Sequence, residues 1–185
     1  MNISSDHKKL PSPVRLNLGC GDKILPGYIN IDTASSRKDK APDIVADIRN
    51  LKNIKTEIAD EILSVHVIEH IYYWEIPALL QGWKRLLKVG GKIIIECPNL
   101  LYACQMIVQN PKQASRADQN GQMSMWPLYG DPSWRDPLMC HKWAYTPESL
   151  KAVLQEAGFV QVRQERAQYK LREPRDMRIT GLKQK

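Results

Sequence analysis

The stretch VRLNLGCGDKILPGYINID, Val14 to Asp32, packs a buried strand, a glycine turn and a second strand ending in a carboxylate into nineteen residues. Leu16 and Leu18 lie in an apolar run too short for a helix, and Gly19 stops it. Val14 to Leu18 therefore reads as a strand of a parallel sheet. Gly19 and Gly21 let the backbone turn tightly and lie against a ligand where a Cβ would clash. Tyr28 to Ile31 reads as the next strand. Asp32 stands at its carboxyl end, where open α/β sheets bind ligands and where an acid can accept from both hydroxyls of a ribose. A dinucleotide fingerprint would need GxGxxG and an acid about 20 residues further on. Position 24 is Ile and Asp32 follows Gly21 by only eleven residues, so the NAD reading loses most of its support.

Outward from this stretch, strand and helix signals alternate. Ile44 to Ala46 reads as a short strand before Asp47, residues 50–58 as a weakly patterned short helix, and Ile62 to Val67 as a buried strand closed by Glu69 and His70. Ile76, Leu79, Leu80, Trp83 and Leu87 follow the spacing of one helical face, with Pro77 in the first turn and Gly90–Gly91 as the stop. Lys92 to Cys97 is the most strand-like segment, and residues 100–109 form the next predicted helix. Thr146 is a good N-cap, with Pro147 in the first turn. Leu150, Val153, Leu154 and Ala157 give the buried face of that helix, and Gly158 ends it. Phe159 to Arg166 and Met177 to Leu182 close the chain as two strands with no helix between them. The pattern predicts an α/β, three-layer, Rossmann-like fold with a mostly parallel sheet whose last strand is antiparallel.

With 185 residues, 43% hydrophobic and 25% charged, the chain fits one domain able to bury a core without staples. We expect residues 1–13 to be a flexible lead-in and 14–185 a single domain with a loop insertion at about 111–142. No apolar run approaches the roughly 20 residues of a membrane span, and the first residues lack a signal-peptide core, so a cytoplasmic location is expected. Cys20, Cys97, Cys104 and Cys140 form no CxxC pair and show no metal-like spacing with the four histidines; free thiols and no metal site are expected. Residues 161–185 hold eight Lys/Arg against three Asp/Glu and carry +5 of the total charge of +7. A solvated edge hairpin explains this tail more simply than an anionic partner does.

LNLGCG at 16–21, INID at 29–32, VADI at 45–48, SVHVIEHI at 64–71, LLKVGGKIIIECPN at 86–99 and YTPESLKAVLQEAGF at 145–159 together resemble the class I S-adenosylmethionine-dependent methyltransferases. The resemblance covers roughly residues 14–182, and the trimmed connection after Gly21, interrupted by Pro26 and Gly27, is similar to that of a small type 11-like branch of the family. It implies a seven-stranded sheet and S-adenosylmethionine as cofactor. The backbone around Gly19, Cys20 and Gly21 would approach the cofactor's methionine portion, Asp32 would bind the ribose hydroxyls, and Asp47 the adenine amino group. Ile48 would offer its amide and an apolar wall, and His66 would line the pocket. Where the family carries Asp or Glu, this chain has Asn17, whose amide oxygen would accept from the cofactor's amino group.

Methyl transfer is an in-line displacement that mainly needs alignment, with a base only for hydroxyl or protonated amine acceptors. Glu69, His70 and His141 are the catalytic candidates. Trp126, Tyr129, Trp134, Trp143 and Tyr145 are five of the chain's thirteen aromatics and fall among Asp131, Arg135 and Asp136, a composition suited to a sugar or planar ring. Trp126, Tyr129, Trp134 and Arg135 are the acceptor-binding candidates, and Trp143 and Tyr145 are better explained as packing. The expected activity is methyl transfer to oxygen or nitrogen of a small molecule or saccharide. The alternatives are a catalytically silent S-adenosylmethionine-binding scaffold or sensor, and an RNA or DNA methyltransferase; a nucleic-acid acceptor is disfavoured because HVIEH replaces the Asn/Asp-Pro-Pro-aromatic motif of amino-methylating DNA enzymes.

Overall fold

A computed structural model describes residues 12–114, 121–169 and 173–185. Most of the predicted lead-in, residues 1–11, lies outside the described residues. Seven strands, β1 (Arg15–Leu18), β2 (Ile29–Asp32), β3 (Ile44–Val45), β4 (Ala59–Val65), β5 (Leu87–Pro98), β6 (Phe159–Glu165) and β7 (Asp176–Lys183), form one sheet in the order β3-β2-β1-β4-β5-β7-β6. The pairs β2–β3, β1–β2, β1–β4 and β4–β5 are parallel, and β7 runs antiparallel to both its neighbours. This is the expected Rossmann-like α/β sheet. Its strand order steps outward from β1 in both directions, so the carboxyl ends of β1 and β4 sit side by side at the switch point where such sheets bind ligands.

The helices are α1 (Ile76–Leu86), α2 (Leu100–Gln109), α3 (Pro111–Ala114), α4 (Trp126–Tyr129) and α5 (Pro147–Glu156). Helix α1 buries Ile76, Leu79, Leu80, Trp83 and Leu86, and α5 buries Leu150 and Leu154, all in one core with Leu16, Leu18, Ile31, Ile62 and Ile95. Each fully buried Leu or Ile contributes roughly 2 kcal/mol. The Thr146 cap forms as expected: its side chain accepts from Ser149 N–H, and Ser149 reciprocates at Thr146 N–H.

Several local expectations differ. Residues 50–58 form turns rather than a helix, because Leu51 and Ile54 reach the core from successive reverse turns. Gly90 and Gly91 do not end the helix; they lie inside β5, which begins at Leu87 directly after α1. The 111–142 region is not one loop, since it carries α3, α4 and short 3₁₀ turns at Pro132–Trp134 and Pro137–Met139. The basic tail is a solvated edge only in part: β6 is the edge strand and exposes Arg163, whereas β7 is an interior strand. Buried Arg178 donates to Glu96 at 2.8 Å, and Arg175 pairs with Asp176. No helix among the described residues is long and apolar enough to cross a membrane.

Candidate functional site

The turn after β1 is pinned to β2. Gly19 and Cys20 both donate to Ile31 O, at 2.8 and 3.2 Å. Gly19 has φ +73°, and a Cβ there would collide with the side chain of Val67 at the end of β4, so glycine is required twice over. Asp32 is buried, with Oδ2 accepting from Gly21 N–H at 2.8 Å and Oδ1 from Ala34 N–H at 2.9 Å. A carboxylate oxygen has two lone pairs, so each still has room for a ligand hydroxyl. Burial, and then the charge of Asp32, push the Cys20 thiol up to about 12, which keeps it an inert packing group.

Two buried asparagines replace the missing first helix. Asn17 and Asn30 face each other in register on β1 and β2. Asn17 Nδ2 donates to Lys23 O at 2.9 Å and to Asn30 Oδ1 at 3.0 Å. Asn30 Oδ1 also accepts from Leu25 N–H, while its Nδ2 donates to Tyr28 O and to Asp43. The short connection thus satisfies from side chains the backbone groups that a helix would have satisfied internally. It also explains why position 17 is an amide: a carboxylate would face two acceptors. At the next strand end, the Arg49 guanidinium binds Asp47 and holds its carboxyl below the usual range. Ile48 is buried, and its carbonyl accepts from Trp83 Nε1 at 3.0 Å.

A second group assembles beyond β4. His66 takes φ +55°, uncommon for a residue with a Cβ and typical of strain kept at sites. Its ring lies between two carboxylates, with Nε2 2.9 Å from Asp176 Oδ2 and Nδ1 3.1 Å from Glu69 Oε1. Burial alone would lower the His66 pKa, but Asp176 and Glu69 outweigh it and hold it above its ordinary value. Burial likewise opposes ionisation of Glu69, yet His66, then His70 and His141, hold that carboxyl well below the usual range. Glu69 is 1% exposed, and neither of its oxygens has a partner in hydrogen-bond geometry. His66 is therefore a buried bridge beneath Glu69 with both ring nitrogens engaged.

The three catalytic candidates do come together: one ligand atom each from Glu69, His70 and His141 lies within 4.8 Å of the others. The His70 and His141 rings meet edge to face at 4.8 Å. His141 Nδ1–H donates to Pro127 O at 2.9 Å and His70 Nδ1–H to Cys140 O at 3.2 Å. The loop is tied to the same place by Lys142 N–H and Trp143 N–H, both donating to Glu69 O. Of the acceptor candidates, Trp126 is half-buried on α4, while Tyr129 and Trp134 are exposed. Trp134 lies under Lys38 Nζ at 5.3 Å, and Arg135 follows with φ +49°. Arg37 contacts Met139 at 3.5 Å, so the 131–140 segment reaches the loop after β2. Tyr145 is buried, whereas Trp143 packs against Tyr73 on one side and is otherwise exposed.

Sequence reasoning missed Asn30, Arg175 and Asp176, the residues that hold Asn17 and His66 in place. Asn30 lay within INID, but its amide role depends on a cross-strand partner. Asp176 reaches His66 only because β7 inserts between β5 and β6, which no local pattern reveals.

Residues 16–95 match a family model described as a methyltransferase domain. No curated protein matches the chain. Among solved structures, a SAM-dependent methyltransferase from Archaeoglobus fulgidus is similar at 20% identity and TM-score 0.61, covering 91% of this chain and 85% of that one. A SAM-dependent methyltransferase from Methanosarcina mazei is similar at 13% identity and TM-score 0.62, covering 92% of each. The 1,6-didemethyltoxoflavin-N1-methyltransferase of Burkholderia thailandensis, with its substrate and S-adenosylhomocysteine bound, is similar at 13% identity and TM-score 0.60, over 93% of this chain and 71% of that one.

Proposed function

We propose that the chain is a class I S-adenosylmethionine-dependent methyltransferase acting on an oxygen or nitrogen of a small molecule or saccharide, a reading supported by the family-model match over residues 16–95 and by the shared fold. The residues present fit the cofactor. The glycine turn leaves no side chain between β1 and Val67, and the buried Asp32 carboxylate keeps lone pairs beside two donating amides. Gly19, Cys20 and Gly21 would carry the methionine portion, Asp32 the ribose, and Asp47 with Ile48 the adenine. When bound, the cofactor supplies an electrophilic methyl on a sulfonium. The protein's own part is alignment: Asp32 fixes the ribose, and the segment around Tyr129, Trp134 and Arg135 covers the acceptor and excludes water.

The observation that carries the acceptor class is the loop tied onto Glu69 by two backbone hydrogen bonds while Tyr129, Trp134 and Trp143 keep exposed faces. Such faces suit a ring or sugar of modest size. Two of the tail's basic residues, Arg175 just before β7 and Arg178 within it, are internal and ion-paired, which lessens the basic surface left for a nucleic-acid acceptor. Calorimetric titration with S-adenosylmethionine and S-adenosylhomocysteine, followed by methyl transfer across sugars and small hydroxylated or amino compounds, tests the proposal. We expect binding of both and turnover of at least one acceptor, with Tyr129→Ala and Trp134→Ala raising the acceptor KM. Failure to bind either cofactor form overturns it. Binding without turnover leaves the silent scaffold.

A further inference from the structure

We propose that Glu69, His70 and His141 form a binding site for one divalent transition-metal ion, which takes a hydroxyl of the acceptor; the acceptor half of this inference rests on the methyl-transfer reading above. Two imidazoles and one carboxylate are a donor set that suits ions such as Zn²⁺ or Fe²⁺ and leaves coordination positions open for a further oxygen.

Four features of the structure support it. The donor atoms already lie within 4.8 Å of one another. Bonds of about 2.1 Å hold neighbouring ligands about 3 Å apart, so shifts of at most about 2 Å close the cluster around an ion. Each histidine is oriented from behind, His141 by Pro127 O and His70 by Cys140 O. A carbonyl can only accept, so Nδ1 carries the proton in both rings and the Nε2 lone pair is left for the ion. Glu69 is 1% exposed; its Oε1 has the ion-pair contact to His66 Nδ1 at 3.1 Å and neither oxygen has an aligned hydrogen bond, so the buried carboxylate keeps acceptor capacity for a further cation. Behind Glu69, His66 and Asp176 form the carboxylate–histidine backing that holds a metal-ligating carboxylate in place. Sequence spacing does not display such a set, because its third member arrives on the 126–145 segment, far along the chain.

The ion's role follows from elementary chemistry. A hydroxyl bound to a divalent ion loses its proton to solvent far more readily than a free one, so the acceptor oxygen is presented as an alkoxide without a dedicated base.

The test uses the full chain, stripped with chelator and titrated with CoCl₂ by visible absorption and with ZnCl₂ by calorimetry. We expect one equivalent to bind, with His70→Gln and His141→Gln each weakening affinity at least tenfold and Glu69→Gln doing the same if it folds. His7→Gln, at a histidine outside the proposed ligand set, should leave binding unchanged. Absence of stoichiometric binding, or equal affinity in the His70 and His141 variants, overturns the site. A parallel titration with S-adenosylhomocysteine separates the two readings: ion uptake without cofactor binding upholds the site and removes methyl transfer, while cofactor binding without ion uptake does the reverse.

Discussion

The two sides of the site are finished to different degrees. At the carboxyl ends of β1 to β3, the polar side chains Asn17, Asn30, Asp32 and Asp47 all have hydrogen-bond partners within the chain. Around the 121–145 segment, Glu69, Ser124, Trp126 and Tyr145 each bury a polar atom with no hydrogen-bond partner. Paired groups make the first side rigid and preorganised. Orphaned ones make the second side a place where a ligand has free energy to gain, because a buried unpaired group costs about 1–3 kcal/mol until something binds it. On the proposed function, the cofactor half is built before its ligand arrives and the acceptor half is completed by what it binds.

The sharpest way to break this contrast is to damage the finished side. Gly19→Ala places a Cβ against Val67 and on a backbone with φ +73°. We expect a loss of about 3 kcal/mol in stability, from overpacking plus strain, measured by urea denaturation. A variant of wild-type stability would mean that the turn is loosely held and that the preorganisation is illusory. Asp32→Asn should cost less and act on binding: it keeps the shape, but loses the charge and one acceptor oxygen. Calorimetry should show cofactor affinity falling about 10- to 100-fold, equivalent to about 1.4–2.8 kcal/mol. Unchanged affinity would remove Asp32 from the cofactor site.

The same contrast explains what the sequence discloses. Val14 to Asp32 is contiguous, so its strands, its glycine turn and its acid are all visible as neighbours, and the sheet that follows from them forms as expected. The proposed acceptor half draws Glu69 and His70 from the 3₁₀ turn that follows β4, His141 from a loop, and Asp176 from an inserted antiparallel strand. Those residues become neighbours only through topology. Their types could be flagged one at a time, but not their juxtaposition or the orphaned state of Glu69. Even within the legible stretch, Asn17 looked like a departure from a cofactor contact. Its Nδ2 also donates to Lys23 O and Asn30 Oδ1, a role that depends on a cross-strand pair.

Asn17→Asp sharpens the comparison further. A carboxylate there confronts two acceptors, so the short connection should loosen by about 1–2 kcal/mol, read by thermal unfolding and by faster amide exchange at Leu25. A stabilised variant with tighter cofactor binding would instead show that position 17 faces the ligand and that the asparagine pair is incidental.

The smallest effect concerns the frame behind the acceptor half. On β6, Glu165 contacts Lys92 at 3.2 Å, Arg163 at 3.1 Å and Arg178 at 3.5 Å. Burial raises its pKa, but the Lys92 and Arg163 contacts prevail and leave it lowered. A group whose folded pKa lies below its unfolded value stabilises the protein above the unfolded value and loses that contribution as pH falls through the folded one. Wild-type stability should therefore decline below about pH 4.5, and Glu165→Gln should flatten part of that decline. At a partly exposed site the difference should stay below about 1 kcal/mol and shrink in high salt. Arg178 also holds Glu96 at 2.8 Å and sits two residues from Asp176, the residue that backs His66. If Glu165→Gln weakens Co²⁺ uptake as well as acid stability, the frame and the acceptor half are energetically coupled. If it changes stability alone, the β7 strand carries two independent functions on one backbone.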